Sequence, residues 1–407
     1  MLFSIAYRNI IRARRRTIVT IVLSTISTAF FIFYVSMMEG SYSKIFKDSV
    51  EIYPSYIQIT GLNYRDDPGY ENLIFDTKSV VEKISKIDEI ELAASRFEGF
   101  MLYASSENSV GGMLVGVEPS SEPRLSKIPK TLIEGEYLFA NDGNKIIIGE
   151  KLAKKLNVRL GDTVSIVGSA IDYSFAADNL IIKGVFRTGL DEFDSNAAFI
   201  NKEYLDEILL SQNISTHIIV LPKNPANSQE VAKKIEQTFQ TSEYEVQEWH
   251  KYLEGVIKAM EFDKYSGIIT MWLFLIVIFF VIMIYALLTI YSRIKEIGIM
   301  RSIGTTPLQV FYILMLETAL LGGVSVVIGG IIGGYLSYYF QINPIYLESF
   351  EETYRHYGIL EAVLPSVFSW EIIIEGMGFI MFMNIISAVY PIIKVNSFKP
   401  IEAIRHR

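Results

Sequence analysis

The residues with the best spacing for chemistry are three carboxylates, Asp191, Glu192 and Asp194, in the run TGLDEFDS. Two neighbouring carboxylates can exchange protons with a substrate or hold a hard cation such as Ca²⁺. Acidic side chains are mostly solvated, however, so a solvated loop or a structural turn is the simpler interpretation. The chain of 407 residues has no cysteine and only four scattered histidines, which excludes thiolate and iron–sulfur sites and leaves little for another metal.

Motifs for nucleotide or hydrolytic chemistry are absent from the sequence. There is no G-x-x-x-x-G-K-[ST] run, and the glycine-rich stretch GGVSVVIGGIIGG has no lysine and lies in an apolar run. The H-E-x-x-H, G-x-S-x-G and kinase signatures are missing as well. We therefore predict no catalytic residue, no metal and no cofactor in this chain. A net charge of −8 also argues against a nucleic-acid partner.

Four long runs with almost no charge dominate the sequence. The 22 residues between Arg16 and Glu39 and the 28 residues between Lys264 and Arg293 carry no charge at all. A helix needs about 20 apolar residues to cross the hydrocarbon core of a bilayer. Four such runs in one chain argue against buried helices of a soluble protein. We predict transmembrane helices at 17–39, 265–292, 309–340 and 370–393.

The basic residues that flank these runs predict the orientation of the chain. Residues 1–16 carry five arginines and no acid, and the segments 293–301 and 394–407 have net charges of +2 and +3. The segment 341–375 has a net charge of −5. Because basic flanks stay in the cytoplasm, both termini and the loop after the second run are predicted to be cytoplasmic. The chain would then be a multi-pass protein of the cytoplasmic (inner) membrane, with residues 40–264 outside.

The insertion at 40–264 is predicted to be an α/β domain. Short strand-like runs such as LIIKGVF and THIIVL alternate with helical patterns. The helical patterns lie at 77–87, 149–157, 201–210 and 228–240. The stretch Gly168–Asn179 is predicted to be a long hairpin tip, and a helix over 246–264 is predicted to lead into the second span. Residues 341–369 would form a short outer loop.

The predicted fold class is thus a membrane protein with four transmembrane α-helices, arranged one plus three. A large α/β extracytoplasmic domain is inserted between helices 1 and 2. Residues 1–16 form an amphipathic pattern whose arginines can meet anionic headgroups and also act as a topology signal. The apolar run that follows is too long for a signal peptide and lacks a cleavage site, so it is predicted to be an uncleaved anchor. Residues 394–407 are predicted to be a cytoplasmic tail.

The segment between the second and third runs, YSRIKEIGIMRSIGTTPLQ, is more structured than a chain reversal needs. Residues 293–308 are predicted to contain a short helix with Ile294, Ile297 and Ile303 on one apolar face. Such a face can dock into the groove of a partner protein. The alternative that remains open is an interfacial helix lying on lipid.

Small residues at helical spacing mark the third run. Gly329/Gly333 and Gly330/Gly334 form two overlapping G-x-x-x-G pairs, which permit the close approach of membrane helices. Packing within one subunit and a seam between two subunits both fit this pattern. Glu317 is expected near the cytoplasmic boundary, because a central position would cost about 2.5–3.5 kcal/mol.

Several motifs together resemble the FtsX/MacB superfamily of ABC-transporter permeases. The likeness rests on AYRNIIRARRRT, on SRIKEIGIMRSIGTTPLQV, on the E-x-x-x-x-GG…GG-x-x-GG pattern of the third run and on the terminal FKPIEAIR. Within the superfamily, YIQITGLNYRDDP, LIEGEYL, IIIGEKLAKKLNVRLGD and IKGVFRTGLDEFDS are similar to the outer domain of the LolC/LolE group of lipoprotein-releasing permeases. The order of the spans and the outer domain is also the order of that superfamily.

The resemblance implies a complex of two permeases and two ATPases, with ATP and Mg²⁺ bound by the ATPase subunits. It implies an outer domain of two subdomains that ATP-driven movement of the helices would displace. The second permease would be identical or homologous to this chain. By motif match, the ATPase-coupling residues would be Arg293, Lys295, Glu296, Ile297, Gly298, Arg301 and Gly304.

The resemblance also implies a function, with this chain as a permease and not an enzyme: extraction of lipoproteins or another lipophilic cargo from the inner membrane. Cargo would enter between the first two spans, past Phe30, Phe33, Trp272 and Phe279, which otherwise simply face lipid. A periplasmic chaperone or an adaptor is a further expected partner. The hairpin tip GSAIDYSFAADN is short and has no proline, unlike the long hook of the chaperone-recruiting permease.

Two other functions remain open at this point. One is an efflux permease for a drug, a peptide or a lipid. The other is a non-transporting signal transducer of the FtsX type, which controls an extracytoplasmic hydrolase.

Overall fold

The computed structural model describes residues 8–10, 14–239, 243–347, 349 and 362–396. Most of the predicted amphipathic segment 1–16 and of the tail 394–407, with its FKPIEAIR motif, lies outside these ranges. The chain divides into two compact units. We call Met1–Ser43, Met260–Tyr346 and Val363–Arg407 the membrane unit, and Lys44–Ala259 with Leu347–Ala362 the α/β unit.

The elements are numbered in chain order. The helices are α1 (Arg14–Ile52), α2 (Thr77–Ser85), α3 (Glu122–Leu125), α4 (Glu150–Leu156), α5 (Asp191–Asn196), α6 (Lys202–Leu209), α7 (Ser228–Phe239), α8 (Trp249–Tyr252), α9 (Glu254–Tyr291), α10 (Ile294–Ser302), α11 (Pro307–Ile342) and α12 (Trp370–Asn396). The strands are β1 (Ile57–Gly61), β2 (Ile74–Phe75), β3 (Ile90–Ala104), β4 (Ser109–Val117), β5 (Leu132–Gly135), β6 (Lys145–Gly149), β7 (Thr163–Ser169), β8 (Phe175–Phe186), β9 (Ala197–Asn201), β10 (Ile214–Ser215), β11 (His217–Pro222), β12 (Tyr244–Glu248), β13 (Ile345–Tyr346) and β14 (Val363–Leu364).

The helices α1, α9, α11 and α12 are each long and apolar enough to cross a bilayer. They confirm the predicted fold class, one span before the α/β domain and three after it. The third span begins where its sequence caps it. The Thr306 hydroxyl accepts a hydrogen bond from the Gln309 backbone amide, the Gln309 side chain accepts one from the Thr306 amide, and Pro307 takes the first helical position.

Two helices are longer than the apolar runs that predicted them. α1 continues past residue 39 to Ile52, and α9 begins at Glu254 and not at 265. Val50 and Ile52, in the last turn of α1, are fully buried in two different apolar clusters of the α/β unit. Hydropathy marks only a segment that can lie in lipid, whereas packing against protein stabilises helical turns beyond it.

The long strand β3 organises the sheet of the α/β unit. The strand order is β12-β1-β11-β3-β4-β9-β6-β8-β5, and β7 pairs with β3 and β8. The first half of β3, up to Arg96, pairs with β11, and the second half, from Phe97, pairs with β4. One apolar cluster, which includes Ile57 and Ile84, is formed by side chains on the β11 side of the sheet. Another, which includes Leu114, is formed by side chains on the β4 side. The apolar clusters on these two sides therefore share β3.

Two predictions for the α/β unit were wrong in their details. The hairpin tip predicted at Gly168–Asn179 is mostly strand, because β7 and β8 pair up to Ser169 and Phe175 and leave residues 170–174 as the tip. The helix predicted over 246–264 starts later, because residues 244–248 form β12 and pair with β1. Pairing with a distant strand overrides a local helical pattern.

Candidate functional site

The short helix α10 lies between the second and third spans, and one side of it is buried. Ile294 and Ile297 pack in an apolar cluster with side chains of α11 and α12. Arg293 and Gly298 are buried as well. Three of the predicted coupling residues, Arg293, Ile297 and Gly298, thus lie on the side of α10 that is buried within this subunit, and their role in coupling stays a prediction.

The opposite side of α10 is open. Lys295 is exposed, Ile299 is 52% exposed, and Ile303, directly after the helix, is 81% exposed. These three residues follow at intervals of four, which places them on one helix face. Sequence reasoning grouped Ile303 with Ile294 and Ile297 on one apolar face for docking and overlooked Ile299. The four-residue spacing from Lys295 was the signal that could have found it.

Gly304 turns the chain from α10 towards α11. Its φ of +107° is a conformation that favours glycine. The backbone amides of Gly304 and Thr305 donate hydrogen bonds to the carbonyls of Arg301, at 3.2 Å, and Met300, at 3.1 Å. These bonds satisfy carbonyls at the end of α10. Of the predicted coupling residues, Lys295, Glu296 and Gly304 are exposed, and Arg301 is half-buried.

A buried ion pair joins the start of α10 to the third span. Arg293 Nη1 donates to Glu317 Oε2, and Arg293 Nε donates to Glu296 Oε2 at 3.0 Å. The other oxygen of Glu317 accepts from Asn9 Nδ2 at 2.7 Å. Arg293 and Glu317 are each 8% exposed, so they must satisfy each other in place of water. Glu317 lies about 15 Å along the axis from the start of α11, and hence towards one end of the span.

A cavity of about 70 Å³ lies beside this ion pair. Arg293 and Glu317 line it, together with residues of all four spans. Asn384 Nδ2, in α12, donates to Ser24 Oγ, in α1, at 2.8 Å, and both residues also line the cavity. Polar groups within a membrane bundle are costly unless paired, so this cluster is a candidate functional site of the membrane unit.

The two glycine pairs of α11 contact two different helices. A Cβ on Gly329 would stand 2.5 Å from a side-chain carbon of α1, and one on Gly330 would stand 2.6 Å from a sulfur atom of α12. Gly333 and Gly334, one turn further on, approach the same two helices. Glycine therefore lets α11 pack closely between α1 and α12, and both pairs are occupied by contacts within one subunit.

The aromatic residues predicted to form a cargo path do not share one surface. Phe30 packs edge-on against Phe274 of α9, with 5.8 Å between ring centroids. Phe33 packs against a ring of α11, and Trp272 packs against a ring of α12. Phe279 is half-buried and contacts the ring that follows it in sequence. Of the four predicted residues, all of which the structure describes, Phe30 alone has a ring contact between α1 and α9. Its partner there, Phe274, was not among the predicted residues.

The acidic cluster of the α/β unit lies in the short helix α5, and its carboxylate Asp194 stabilises the turn that precedes this helix. Asp194 accepts hydrogen bonds from the backbone amides of Thr188 and Gly189, both at 3.0 Å, and from the Thr188 hydroxyl at 2.7 Å. Burial raises the pKa of Asp194, and Asp191 forms an ion pair with Lys151. Within the ranges that the structure describes, no group of three or more acidic or histidine side chains could hold a metal ion.

Comparison with protein families adds a further observation. The model of the FtsX-like permease C-terminal region matches residues 268–400, and the model of the MacB-like periplasmic core domain matches residues 17–238. The second match alone covers more than half of the chain. The chain belongs to the FtsX/MacB family of ABC-transporter permeases. Membership confirms the resemblance seen in the motifs and implies an ATPase subunit as a partner.

Curated relatives of this permease include several LolC proteins. It is 22% identical to the lipoprotein-releasing system transmembrane protein LolC of Xylella fastidiosa over 76% of this chain and 78% of the relative. It is 25% identical to LolC of Buchnera aphidicola subsp. Acyrthosiphon pisum over 94% and 92%. An ABC transporter permease of Methanocaldococcus jannaschii whose role is uncharacterised is 20% identical over 99% and 97%.

Two solved structures similar to the permease are those of isolated outer domains. The extracellular domain of the transporter YknZ from Gram-positive bacteria is 16% identical, with a TM-score of 0.35, and the match covers 47% of this chain and 100% of that domain. The periplasmic region of MacB from Actinobacillus actinomycetemcomitans is 13% identical, with a TM-score of 0.38, over 51% of this chain and 94% of that region.

Proposed function

We propose that this permease couples ATP hydrolysis by a separate ATPase subunit to the extraction of lipoproteins, or another lipophilic cargo, from the inner membrane. The observation that carries the coupling is the exposed face of α10. Lys295, Ile299 and Ile303 form a basic and apolar face on a helix whose other side is fixed to the spans. An ATPase groove with apolar walls and an acidic rim would bind such a face.

In this proposal the ATPase subunit holds ATP and Mg²⁺, and the permease supplies no nucleotide site. The predicted coupling residues that remain accessible to the ATPase are Lys295, Glu296, Arg301 and Gly304. In this proposal α10 and both termini lie in the cytoplasm and the α/β unit lies outside, which the positive charge of the segments that flank the spans supports. A second permease, identical or homologous, completes the complex.

The assignment of lipoprotein as cargo is supported by the LolC relatives, which align with most of this chain. Acyl chains reach a permease from within the bilayer and need an apolar entrance. Phe30 and Phe274 are partly exposed where α1 meets α9 and offer such an entrance. The other predicted path residues, Phe33, Trp272 and Phe279, each contact a different neighbour. They could line the same path only if the spans rearrange.

The test is affinity purification of the tagged full-length chain from its native membrane in a mild detergent, followed by mass spectrometry. We expect an ATPase subunit and triacylated lipoproteins in the sample, and a second permease if the pair is heterologous. Recovery of the permease without any ATPase would contradict the proposal. Recovery of an ATPase without acylated protein would support the coupling part of the proposal and contradict lipoprotein as the cargo.

A matched pair of variants tests whether the α10 face binds the ATPase. Ile303→Asp places a charge in the proposed apolar contact and should abolish recovery of the ATPase. Ile133→Asp changes an exposed isoleucine on β5 and should leave recovery unchanged. Loss of the ATPase from both variants, or from neither, would show that the face is not the binding surface.

A second function is favoured by one observation on the α/β unit. The tip of the β7–β8 hairpin is five residues long, 170–174, and contains no proline. Such a tip differs from the hook of the chaperone-recruiting permease and fits another extracytoplasmic partner better. Efflux through an adaptor and FtsX-type control of a hydrolase are the alternatives. The same mass-spectrometry experiment distinguishes them, because it would recover an adaptor or a hydrolase in place of lipoproteins.

A further inference from the structure

Three segments of the membrane unit meet at a single carboxylate. Glu317 of the third span accepts one hydrogen bond from Arg293, which immediately precedes α10, and one from Asn9, in the N-terminal segment. Its two oxygens are thus divided between two segments that are distant in sequence from the span and from each other. The side chain is buried, so water does not compete with either bond.

We infer that Glu317 is a positioning residue that makes α10, the N-terminal segment and the third span move as one body. This inference rests on the proposed function, in which an ATPase displaces α10. It goes further because it assigns the transmission of that displacement to one ion pair and to Asn9, neither of which lies on the face offered to the ATPase.

The isoleucine contacts of α10 are apolar and have no fixed direction. Ile294 and Ile297 pack against side chains of α11 and α12, and such contacts can slip while the apolar area stays buried. The guanidinium of Arg293 is held on two sides, by Glu317 and by Glu296, which fixes its orientation. The ion pair therefore supplies the directional constraint that the packing lacks.

Beyond Glu317, the same span carries the close glycine contacts. Gly329 and Gly333 lie on the α1 side of α11, and Gly330 and Gly334 lie on the α12 side. Close-packed helices of this kind transmit small rigid shifts because they tolerate little deformation. A displacement that reaches α11 through Glu317 would therefore also reach the first and fourth spans.

The first experiment measures the linkage in the permease alone. The chain has no cysteine, so the variant with Ser302→Cys at the end of α10 and Ile331→Cys on α11 takes spin labels at only these two positions. Ile331 lies about 20 Å along the axis from Glu317, which keeps this label away from the ion pair itself. In lipid nanodiscs the distance distribution should be narrow.

The decisive variant replaces the ion pair by apolar side chains, Arg293→Met with Glu317→Leu. Removing both charges leaves no buried charge unpaired at this site, and Glu296, which also loses Arg293, is exposed to water, so the variant is expected to fold. The label distance should broaden or shift by about 2 Å or more, the scale of helix shifts at packed interfaces. The control, Ser24→Ala with Asn384→Leu, removes another polar link beside the same cavity but none to α10, and should leave the distance unchanged.

The second experiment uses the unlabelled complex with the co-purified ATPase in proteoliposomes that contain a triacylated lipoprotein. With the ion pair removed, ATP hydrolysis should continue while ATP-dependent release of the lipoprotein falls about tenfold. An unchanged label distance, or full release from the variant, would overturn the inference. If the unaltered complex releases no lipoprotein, the cargo proposal fails, and the label distance still decides the role of Glu317.

Discussion

Arg96 and Glu122 form a two-point ion pair that is almost completely buried in the α/β unit. Nε and Nη2 of Arg96 donate to the two carboxylate oxygens of Glu122 at 3.1 and 2.6 Å, and each residue is 1% exposed. Arg96 Nη1 donates to the carbonyl of Tyr53 at 2.7 Å, and the guanidinium lies 4.3 Å from the centroid of the Tyr53 ring. Because Tyr53 directly follows α1, this pair fastens the end of the first helix to β3 and α3.

Breaking that pair on one side should destabilise the α/β unit strongly. Glu122→Ala leaves the Arg96 guanidinium buried without its carboxylate, which should lower the free energy of unfolding by about 3–5 kcal/mol. Arg96→Met combined with Glu122→Leu removes both charges and should recover most of the loss. Hydrogen exchange of β3 peptides in the full chain, followed against denaturant, measures both values. If Glu122→Ala lowered the free energy of unfolding only as much as the loss of a surface ion pair does, the site would be hydrated.

The α/β unit should lose stability on mild acidification because of His217. Burial lowers the pKa of His217 below its ordinary value of 6.5, against the attraction of the Glu98 carboxylate, 3.7 Å away. Above pH 6.5 the imidazole is neutral in both the folded and the unfolded chain. Below that pH the unfolded chain binds the proton more readily, so stability falls as the pH drops from 6.5 towards the folded pKa.

Thermal unfolding of the full chain at pH 7.5 and pH 5.5 tests this dependence on His217. His217→Gln should make the unfolding temperature less sensitive to this change in pH. His250→Gln removes an exposed histidine of the same unit and should preserve the sensitivity. Equal sensitivity in all three proteins would assign the effect to another group.

The glycines of α11 should tolerate no larger side chain where the helix packs closely against α1, and should tolerate one where it meets no neighbour. Gly329→Ala introduces a methyl group 2.5 Å from Thr28 Cβ, so α1 must shift, at a cost of about 1–3 kcal/mol. Gly323→Ala is the matched control on the same helix, because no atom of another residue lies within 4 Å of its Cβ position. The thermal unfolding temperature in detergent should fall for the first variant only. A similar fall for both would mean that the close contact with α1 does not explain the effect, since alanine has a higher helix propensity than glycine.

The turn at Gly304 should tolerate no side chain in spite of its open surroundings. A Cβ there would meet nothing within 4 Å, yet the φ of +107° is strained for any L-residue. Gly304→Ala should therefore destabilise the turn by about 1–3 kcal/mol. Hydrogen exchange of the segment between α10 and α11 should become faster. Unchanged exchange would indicate that the turn relaxes into another conformation without cost.

Much of this architecture was predictable from composition and periodicity. A run of some 20 uncharged residues has few alternatives to a membrane helix, so the four spans followed directly from where charges are missing. The helical pattern at 228–240 coincides with α7, because amphipathic spacing repeats with the period of the helix. The Asp191–Asp194 cluster was predicted to be a solvated loop or a structural turn, but it forms the short helix α5 and Asp194 is buried, because backbone amides of the preceding turn donate to its carboxylate.

The orientation of α10 could not be predicted in the same way. Its isoleucines occur on both sides of the helix, and only the packing of Ile294 and Ile297 against α11 and α12 shows which side remains free. A helix of nine residues makes barely more than two turns, so its periodicity is too short to identify a face without its neighbours.

The sequence by itself determined the number of spans, the place of the inserted domain and the family, because each depends on local runs of residues. The tertiary structure alone decided that Glu317 joins Asn9 to Arg293, that the two glycine pairs serve two different helices, and that Arg96 fastens Tyr53. These contacts join residues between 24 and 308 positions apart in the chain. No local pattern specifies such partners, since they are selected by the close packing of whole helices and strands and by the need of every buried charge for a partner.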